Sequence, residues 1–193
     1  MANKFRPIVL ALLGAACLSS CSLSAPSVIP ENLIPEELEA TEITFSSLDW
    51  AGYFVPGCPQ AESYASDLRE KTELVEGVSY VAPSLTAWRV VHIIFETQSA
   101  IDAEELALGF ADVMPCIGVP SALVAPIPVS SFGTDLKGTA FSQVTDLSVL
   151  GSVEGVKTVV ADGKYLIYID AYGHETSGYD VPRLSELVKV AIS

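Results

Sequence analysis

The pattern of apolar residues is clearest around Asp162 and Gly163, where it predicts a β-hairpin. Apolar segments at 156–161 and 165–172 flank this pair, and a two-residue hairpin turn favours Asp-Gly because both central positions need a positive φ. A further segment, 84–96, is rich in β-branched and aromatic residues and predicts a strand. Shorter patterns of the same kind predict strands at 43–45 and 139–145. Segment 123–129 contains two prolines and is predicted to be either an edge strand or an irregular stretch.

Apolar residues at helical spacing predict two main helices. One runs from Asp102 to about Met114, with Ser99 and Asp102 as candidate N-caps. The other follows Asp180 and carries an apolar stripe that ends at Ile192. Two less regular segments predict a brief helix at 48–54 and a helix or a loop at 60–77. The order of these elements predicts an α+β fold, an antiparallel sheet with helices packed on one face.

The first twenty residues have the layout of a secretory signal. Lys4 and Arg6 form a positive start, and the apolar stretch that follows is too short to span a membrane. The segment ends in Leu18-Ser19-Ser20-Cys21, which resembles the lipobox of bacterial lipoproteins, where an aliphatic and then a small residue precede the cysteine. Cys17 fits this pattern less well, because Gly14 occupies the aliphatic position.

The lipobox resemblance implies that Cys21 is acylated; palmitate is an expected acyl chain. The alternative is an ordinary secretory signal with a chance cysteine. Acyl chains hold a protein on a membrane surface by about 0.8 kcal/mol per buried methylene. We therefore expect residues 1–20 to be a signal peptide, residues 21–40 a flexible tether rich in Pro and Glu, and residues 41–193 a single domain. This places the domain on the extracytoplasmic face of a bacterial membrane.

Composition and charge exclude several classes of protein. Half of the residues are hydrophobic and 18% are charged, which is unlike an intrinsically disordered chain. The formal net charge is −14, whereas a nucleic-acid binder needs clustered cations. Without residues 1–20 the chain keeps eight basic and 24 acidic residues, and the resulting charge of −16 is repelled by anionic headgroups. The lipid on Cys21 is therefore the expected anchor.

Cys58 and Cys116 are the two cysteines that remain after the lipid site. An exported chain meets an oxidising compartment, so a structural disulfide is the favoured interpretation. A redox pair or a metal site is the alternative, but the sequence has neither C-x-x-C spacing nor a Cys/His cluster. We expect no metal and no cofactor.

His92 and His174 are the only histidines. His92 lies in the apolar segment 84–96 and is interpreted as a structural residue. His174 lies in a polar segment, where a catalytic base with Ser177 or a more distant serine is the alternative to a solvated loop. Because no G-x-S-x-G motif marks a nucleophile, the sequence favours a domain that is not an enzyme.

Trp88, Tyr168 and Tyr172 are the candidate ligand-facing residues. Alternate residues of a strand point to opposite faces, so Tyr168 and Tyr172 share one face. The other face, with Ile167 and Ile169, is more apolar and is the better core face. An open sheet surface lined by aromatic side chains suits a ligand; the alternative is that these are ordinary, partly exposed sheet tyrosines.

From Trp88 to the C-terminus, the order of elements resembles the extracellular sensor-like domain of some mycobacterial serine/threonine kinases and of related actinobacterial lipoproteins. The matching features are the strand at 89–95, an alanine-rich helix that ends in Cys116-Ile117-Gly118, the hairpin around Asp162 and a closing helix. The resemblance implies a cell-surface binding or sensing module with a groove on the sheet and no catalysis.

These observations predict a lipid-anchored, non-catalytic lipoprotein that binds a small ligand or an envelope protein. Its expected partners are the membrane, reached through the lipid on Cys21, and that ligand or protein; nucleic acid is not expected. The alternatives are an envelope hydrolase that uses His174 and a structural or assembly lipoprotein with protein contacts only.

Native mass spectrometry of the full chain tests both cysteine assignments, provided that the chain is extracted from its own host in mild detergent without reductant. We expect a mature chain that starts at Cys21, carries acyl groups and lacks two hydrogens, because Cys58 and Cys116 are joined. An unacylated chain would contradict the lipoprotein assignment, and a full complement of hydrogens would contradict the disulfide.

Overall fold

The computed structural model describes residues 39–42, 58–81, 88–116, 122–147, 151–174 and 181–192. Seven strands and three α-helices make up this part of the chain. The strands are β1 (Glu39–Glu42), β2 (Thr72–Val81), β3 (Trp88–Thr97), β4 (Ala122–Ile127), β5 (Lys137–Leu147), β6 (Gly151–Asp162) and β7 (Tyr165–His174). The helices are α1 (Pro59–Lys71), α2 (Ala100–Gly109) and α3 (Val181–Ala191), with short 3₁₀ helices at Phe110–Cys116 and Val129–Phe132.

The strands form one antiparallel sheet in the order β1-β2-β3-β7-β6-β5-β4. β3, β7 and β6 therefore lie in the centre, and β1 and β4 lie at the edges. β4 contains Pro126, which suits an edge because proline has no N–H to donate to a second neighbour. The predicted α+β class, the antiparallel sheet and the edge position of the proline-containing strand are confirmed.

Local sequence signals explain where the first two helices begin. α1 starts with Pro59, whose missing N–H has no intrahelical partner at this position in any case. Ser99 caps α2, since its side chain accepts a hydrogen bond from the backbone N–H of Asp102. The helix expected to reach Met114 ends as an α-helix at Gly109 and continues as the 3₁₀ helix.

The predicted hairpin is confirmed, with its turn one residue later than expected. Asp162 pairs with Tyr165, so the turn consists of Gly163 and Lys164. Gly163 has a positive φ of 58°, and in the described chain no residue other than glycine has one. A turn of two residues with glycine first is typical of type II′, which follows the twist of the two strands.

One face of the sheet is covered by α1 and α2. Phe110, which follows α2, lies at the centre of this core: its ring centroid is 5.4 Å from that of Tyr64, 5.5 Å from that of Phe141 and 6.0 Å from that of Tyr168. All four rings are buried. The aromatic cluster therefore holds α1 and the segment after α2 against β5 and β7.

The opposite face carries a second core beneath α3. Leu184 and Val188 of α3 are fully buried in one cluster with Ile167 and Ile169 of β7. This corrects the expectation that the helices pack on one face. Every residue of 155–161 and 165–171 is buried, whereas an antiparallel sheet with one solvated face would alternate buried and exposed positions. Both faces of the central strands therefore need a cover.

The sequence patterns miss β1 and β2. β2 falls in the segment interpreted as a helix or loop, because its glutamates and glycine have low strand propensity, and pairing along β3 overrides that preference. β1 falls at the end of the predicted tether and across the predicted domain boundary, where Glu39 pairs with Val81. The strand expected at 43–45 and the helix expected at 48–54 lie outside the described residues.

Cys58 and Cys116 form the predicted disulfide, with their Cα atoms 5.8 Å apart. It links the residue before α1 to the end of the 3₁₀ helix, and both cysteines pack against the core that contains the aromatic cluster. The sequence separation is 58 residues. Closing a loop of this length stabilises a fold by about 4 kcal/mol in the chain-entropy description.

Gly138 and Gly109 should respond in opposite ways to replacement by alanine. A Cβ at Gly138 would lie 2.2 Å from the carbonyl oxygen of Val159 and 2.8 Å from the Cα of Val160. We expect Gly138→Ala to lower the free energy of unfolding by about 1–3 kcal/mol. Gly109→Ala meets no atom within 4 Å and should raise it by up to about 1 kcal/mol. Urea denaturation measures both, and equal effects would contradict the close approach of β5 to β6.

Candidate functional site

The two ends of the sheet carry different chemistry. At one end, which we call the tether end, Val81 pairs with Glu39, the first described residue of the chain. At the other end, which we call the hairpin end, lie Thr72 of β2 and the β6–β7 turn. The ten residues of β2 separate the two ends by about 30 Å.

The hairpin end contains a cleft of about 480 Å³. Its walls are the last turn of α1, the adjoining ends of β2 and β3, and the turn between β6 and β7. All of its lining residues are polar or charged: Arg69, Glu70, Lys71, Thr72, Glu73, Glu96, Thr97, Gln98 and Lys164. The size is within the range of small-ligand sites, and the lining suits a polar ligand. We call this the hairpin-end cleft.

The charged side chains of the hairpin-end cleft form only exposed ion pairs. Lys164 Nζ pairs with Glu96, and this hydrogen bond raises the pKa of Lys164. Lys71 Nζ lies 4.0 Å from Glu105. Among the described residues, Arg69 has no ion-pair partner. Exposed pairs of this kind are weak because solvent screens them, so these side chains remain available to a ligand.

Hydrogen bonds hold the walls of the hairpin-end cleft in place. The backbone N–H of Thr97 donates to the carbonyl oxygen of Lys164 at 2.9 Å, and the Thr97 hydroxyl donates to the carbonyl oxygen of Ser99 at 2.7 Å. The Thr72 hydroxyl donates to the carbonyl oxygen of Leu68 at 2.6 Å. Both threonines are buried. The shape of the cleft is therefore set by the fold.

The predicted aromatic surface is not an open sheet face. Tyr168 is 3% exposed and its ring packs edge-on against Phe110, so the expectation of an exposed Tyr168 is wrong. The cause is the cover that α1 and α2 provide on this face. Tyr172 is half-buried. Trp88 pairs with Gly173 at the tether end, and its side chain lies outside the described part. A ligand at Trp88 and Tyr172 stays a prediction.

An ion pair is buried beside Tyr168 on the face that α1 and α2 cover. Lys157 Nζ lies 2.5 Å from Asp170 Oδ2, and the two side chains are 11% and 1% exposed. The two residues are directly opposite each other on β6 and β7. Burial, followed by the negative charge of Asp170, raises the pKa of Tyr168 well above its ordinary value. The phenol is therefore neutral and hydrogen-bonds Asp170, and Arg89 adds a further positive charge close to Tyr168. The Lys157–Asp170 pair offsets part of the cost of burying the two charges.

The two histidines lie in different surroundings. His92 is 1% exposed and pairs with Ile169 in the core beneath α3, as expected for a residue of the apolar segment. Burial lowers the pKa of His92 to about 4, so the imidazole is neutral near pH 7. His174 ends β7 opposite Val153. Its side chain and residues 175–180 lie outside the described part, so its role as a catalytic base stays a prediction.

In the described ranges, no group of three or more His, Cys, Asp or Glu side chains is placed to hold a metal ion. No helix of that same part is long and apolar enough to cross a membrane. Cys21 lies outside the described ranges, so its acylation stays a prediction.

Comparison of the chain with protein-family models, curated proteins and solved structures gave no match. The likeness to bacterial lipoproteins and to sensor-like domains therefore rests on the sequence features quoted above. The hairpin-end cleft and the buried ion pair are the structural observations from which a function can be argued.

Sequence reasoning missed both of these sites for different reasons. The buried pair had a signal: Lys157 and Asp170 each stand alone as a charge inside an apolar strand segment. A buried charge needs a partner of opposite sign. The register of the β6–β7 hairpin places Lys157 directly opposite Asp170. The hairpin-end cleft had no such signal, because its residues come from three separate segments, 69–73, 96–98 and Lys164, that only the packing of α1 and the sheet brings together.

Replacement of the buried pair should be strongly non-additive. Asp170→Leu or Lys157→Met alone leaves one buried charge without its partner, and each should lower the free energy of unfolding by about 3–5 kcal/mol. The double variant removes both charges and should lie much closer to the unchanged protein. Urea denaturation of the three variants gives the coupling. If the free energy of unfolding of the double variant falls by the sum of the two single changes, the two charges do not depend on each other.

The protein should become less stable as the pH is lowered, partly because of His92. The unfolded imidazole binds a proton below about pH 6.5, whereas the folded one does so only below about pH 4. Between these values the unfolded state binds more protons, so acidification favours unfolding by roughly 3 kcal/mol in total. We expect His92→Gln to flatten the dependence of the unfolding free energy on pH in this window. Identical slopes for both proteins would mean that His92 is not buried neutral.

Proposed function

We propose that this chain is a lipid-anchored, non-catalytic domain of the cell envelope that binds a small ligand or an envelope partner in the hairpin-end cleft. The observation that carries the proposal is a preformed cleft of about 480 Å³ whose exposed charges are engaged only in weak pairs. Binding needs such groups, whereas catalysis needs a nucleophile or a base with a shifted pKa next to a bound substrate.

The direction of the chain supports an outward-facing binding site. Cys21, the proposed lipid site, precedes Glu39 by 18 residues, a length that reaches at most about 60 Å when extended. The chain enters the sheet at the tether end, and the hairpin-end cleft lies about 30 Å away at the opposite end. The cleft therefore lies at the end of the sheet farther from the proposed attachment point, and a tether of this length leaves room for a ligand or partner to reach it.

Native mass spectrometry with matched variants tests this function. The full chain, extracted from its own host in mild detergent, is expected to retain a further discrete mass beyond its acyl groups. The double variant Glu96→Gln/Lys164→Gln removes the central pair of the cleft without changing net charge and should lose that mass. Glu186→Gln/Lys189→Gln removes an exposed pair of α3 and should keep it.

Two outcomes would count against the proposal in different ways. If the extra mass persists in the cleft variant, the ligand binds elsewhere. If only the acylated chain is seen, no tightly held small ligand exists. A photoreactive amino acid in place of Gln98 in the cleft then tests for a protein partner by cross-linking, with the same amino acid in place of exposed Leu123 as the control.

A further inference from the structure

The hairpin-end cleft is balanced in charge within a strongly acidic protein. Its three cations and three anions are Arg69, Lys71, Lys164, Glu70, Glu73 and Glu96. Acidic residues outnumber basic ones by 24 to ten in the whole chain, yet three of the ten basic residues line this cleft. The cleft therefore does not repel an anionic group as the rest of an acidic surface does.

The lining of the cleft discriminates between classes of ligand. It offers no aliphatic or aromatic wall, so an apolar ligand gains little from burial there. A polyanion would meet three carboxylates, and a polycation would meet three cations, so each would be opposed by like charge. A ligand that carries both carboxylate and ammonium groups finds a partner for each.

A ligand can replace the existing pairs at small cost. The side chains of Lys164 and Glu96 are 48% and 40% exposed, and ion pairs between exposed side chains contribute little to stability. Arg69 and Glu73 are exposed, and neither forms an ion pair within the described ranges. Both signs of charge are therefore available without loss of a strong interaction.

We propose that the hairpin-end cleft binds a short zwitterionic peptide, whose carboxylates pair with Arg69 and Lys164 and whose ammonium groups pair with Glu73 and Glu96. The volume of about 480 Å³ suits a peptide of a few residues. Buried Thr72 and Thr97 hold the walls, so binding requires little ordering of the protein. This inference rests on the proposed function, since it names the ligand class of the same cleft.

Isothermal titration calorimetry of the full chain in mild detergent tests the ligand class with four tetrapeptides. The mixed-charge probe is Ala-Glu-Lys-Ala with free termini. The other probes are blocked at both ends: one has two glutamates at its centre, one has two lysines, and one has two glutamines. We expect the mixed-charge peptide to bind most tightly and its affinity to fall with added salt, because the contacts are exposed charge pairs.

Single substitutions locate this binding in the cleft. Arg69→Gln and Glu73→Gln should each lower the affinity for the mixed-charge peptide by up to about fivefold, which corresponds to the loss of one exposed pair of about 1 kcal/mol. Lys189→Gln on α3 should leave its affinity unchanged. Because both cleft residues are exposed, the variants are expected to fold, and their thermal unfolding midpoints provide the check.

The outcomes separate the ligand class from the proposed function. Equal or tighter binding of the blocked acidic, basic or uncharged peptide, with the same sensitivity to Arg69→Gln or Glu73→Gln, would overturn the zwitterionic class and leave the cleft as a binding site. If no peptide binds, the zwitterionic ligand class is also overturned. The proposed function is then still decided by the native mass spectrometry and the cross-linking experiment described above. If neither Arg69→Gln nor Glu73→Gln changes the affinity, the peptide binds outside the cleft and the proposed site is wrong.

Discussion

The central β6–β7 hairpin is apolar on both faces, and the rest of the fold follows from covering it. Segments 155–161 and 165–171 are buried throughout. Removing one large aliphatic side chain from water contributes about 1.5–3 kcal/mol, so a hairpin with two such faces is stable only between two layers. α1 and α2 provide one layer and α3 the other. The disulfide between Cys58 and Cys116 then joins the ends of the first layer.

The same burial gives the Lys157–Asp170 pair its importance. Inside an apolar hairpin each charge depends on the other for compensation. A slip of one residue between β6 and β7 would turn one of the two side chains to the opposite face of the sheet. The pair therefore adds a constraint on register to strands whose apolar residues alone would accept either face.

The location of the hairpin-end cleft also follows from this core. Along 155–161 and 165–171 both faces of the sheet are occupied by packing, so this part of the hairpin offers no open surface to a ligand. Polar side chains collect where strands and helices end, and there the ends of α1, β2 and β3 meet the hairpin turn. A rigid sheet thus positions residues at its end that contribute little to its own stability, which is a common way for folds to hold binding groups.

The sequence by itself determined the features that depend on neighbouring residues. The hairpin near Gly163, the cap at Ser99 and the edge strand with Pro126 all follow from local conformational preference. The pairing of Cys58 with Cys116 was also predictable, because few cysteines remain after the proposed leader. A leader with a lipobox is predicted from the same kind of local pattern and stays a prediction.

Tertiary structure alone decided the features that depend on distant segments. Glu39 and the glutamates of β2 lie in strands because the edge of β3 and then of β2 was open for pairing. Tyr168 is buried because α1 and α2 cover its face, although its alternation along the strand resembles that of an exposed side chain. Arg69 and Lys164 line the same cleft although they are 95 positions apart in the sequence. No local pattern encodes the proximity of residues so far apart.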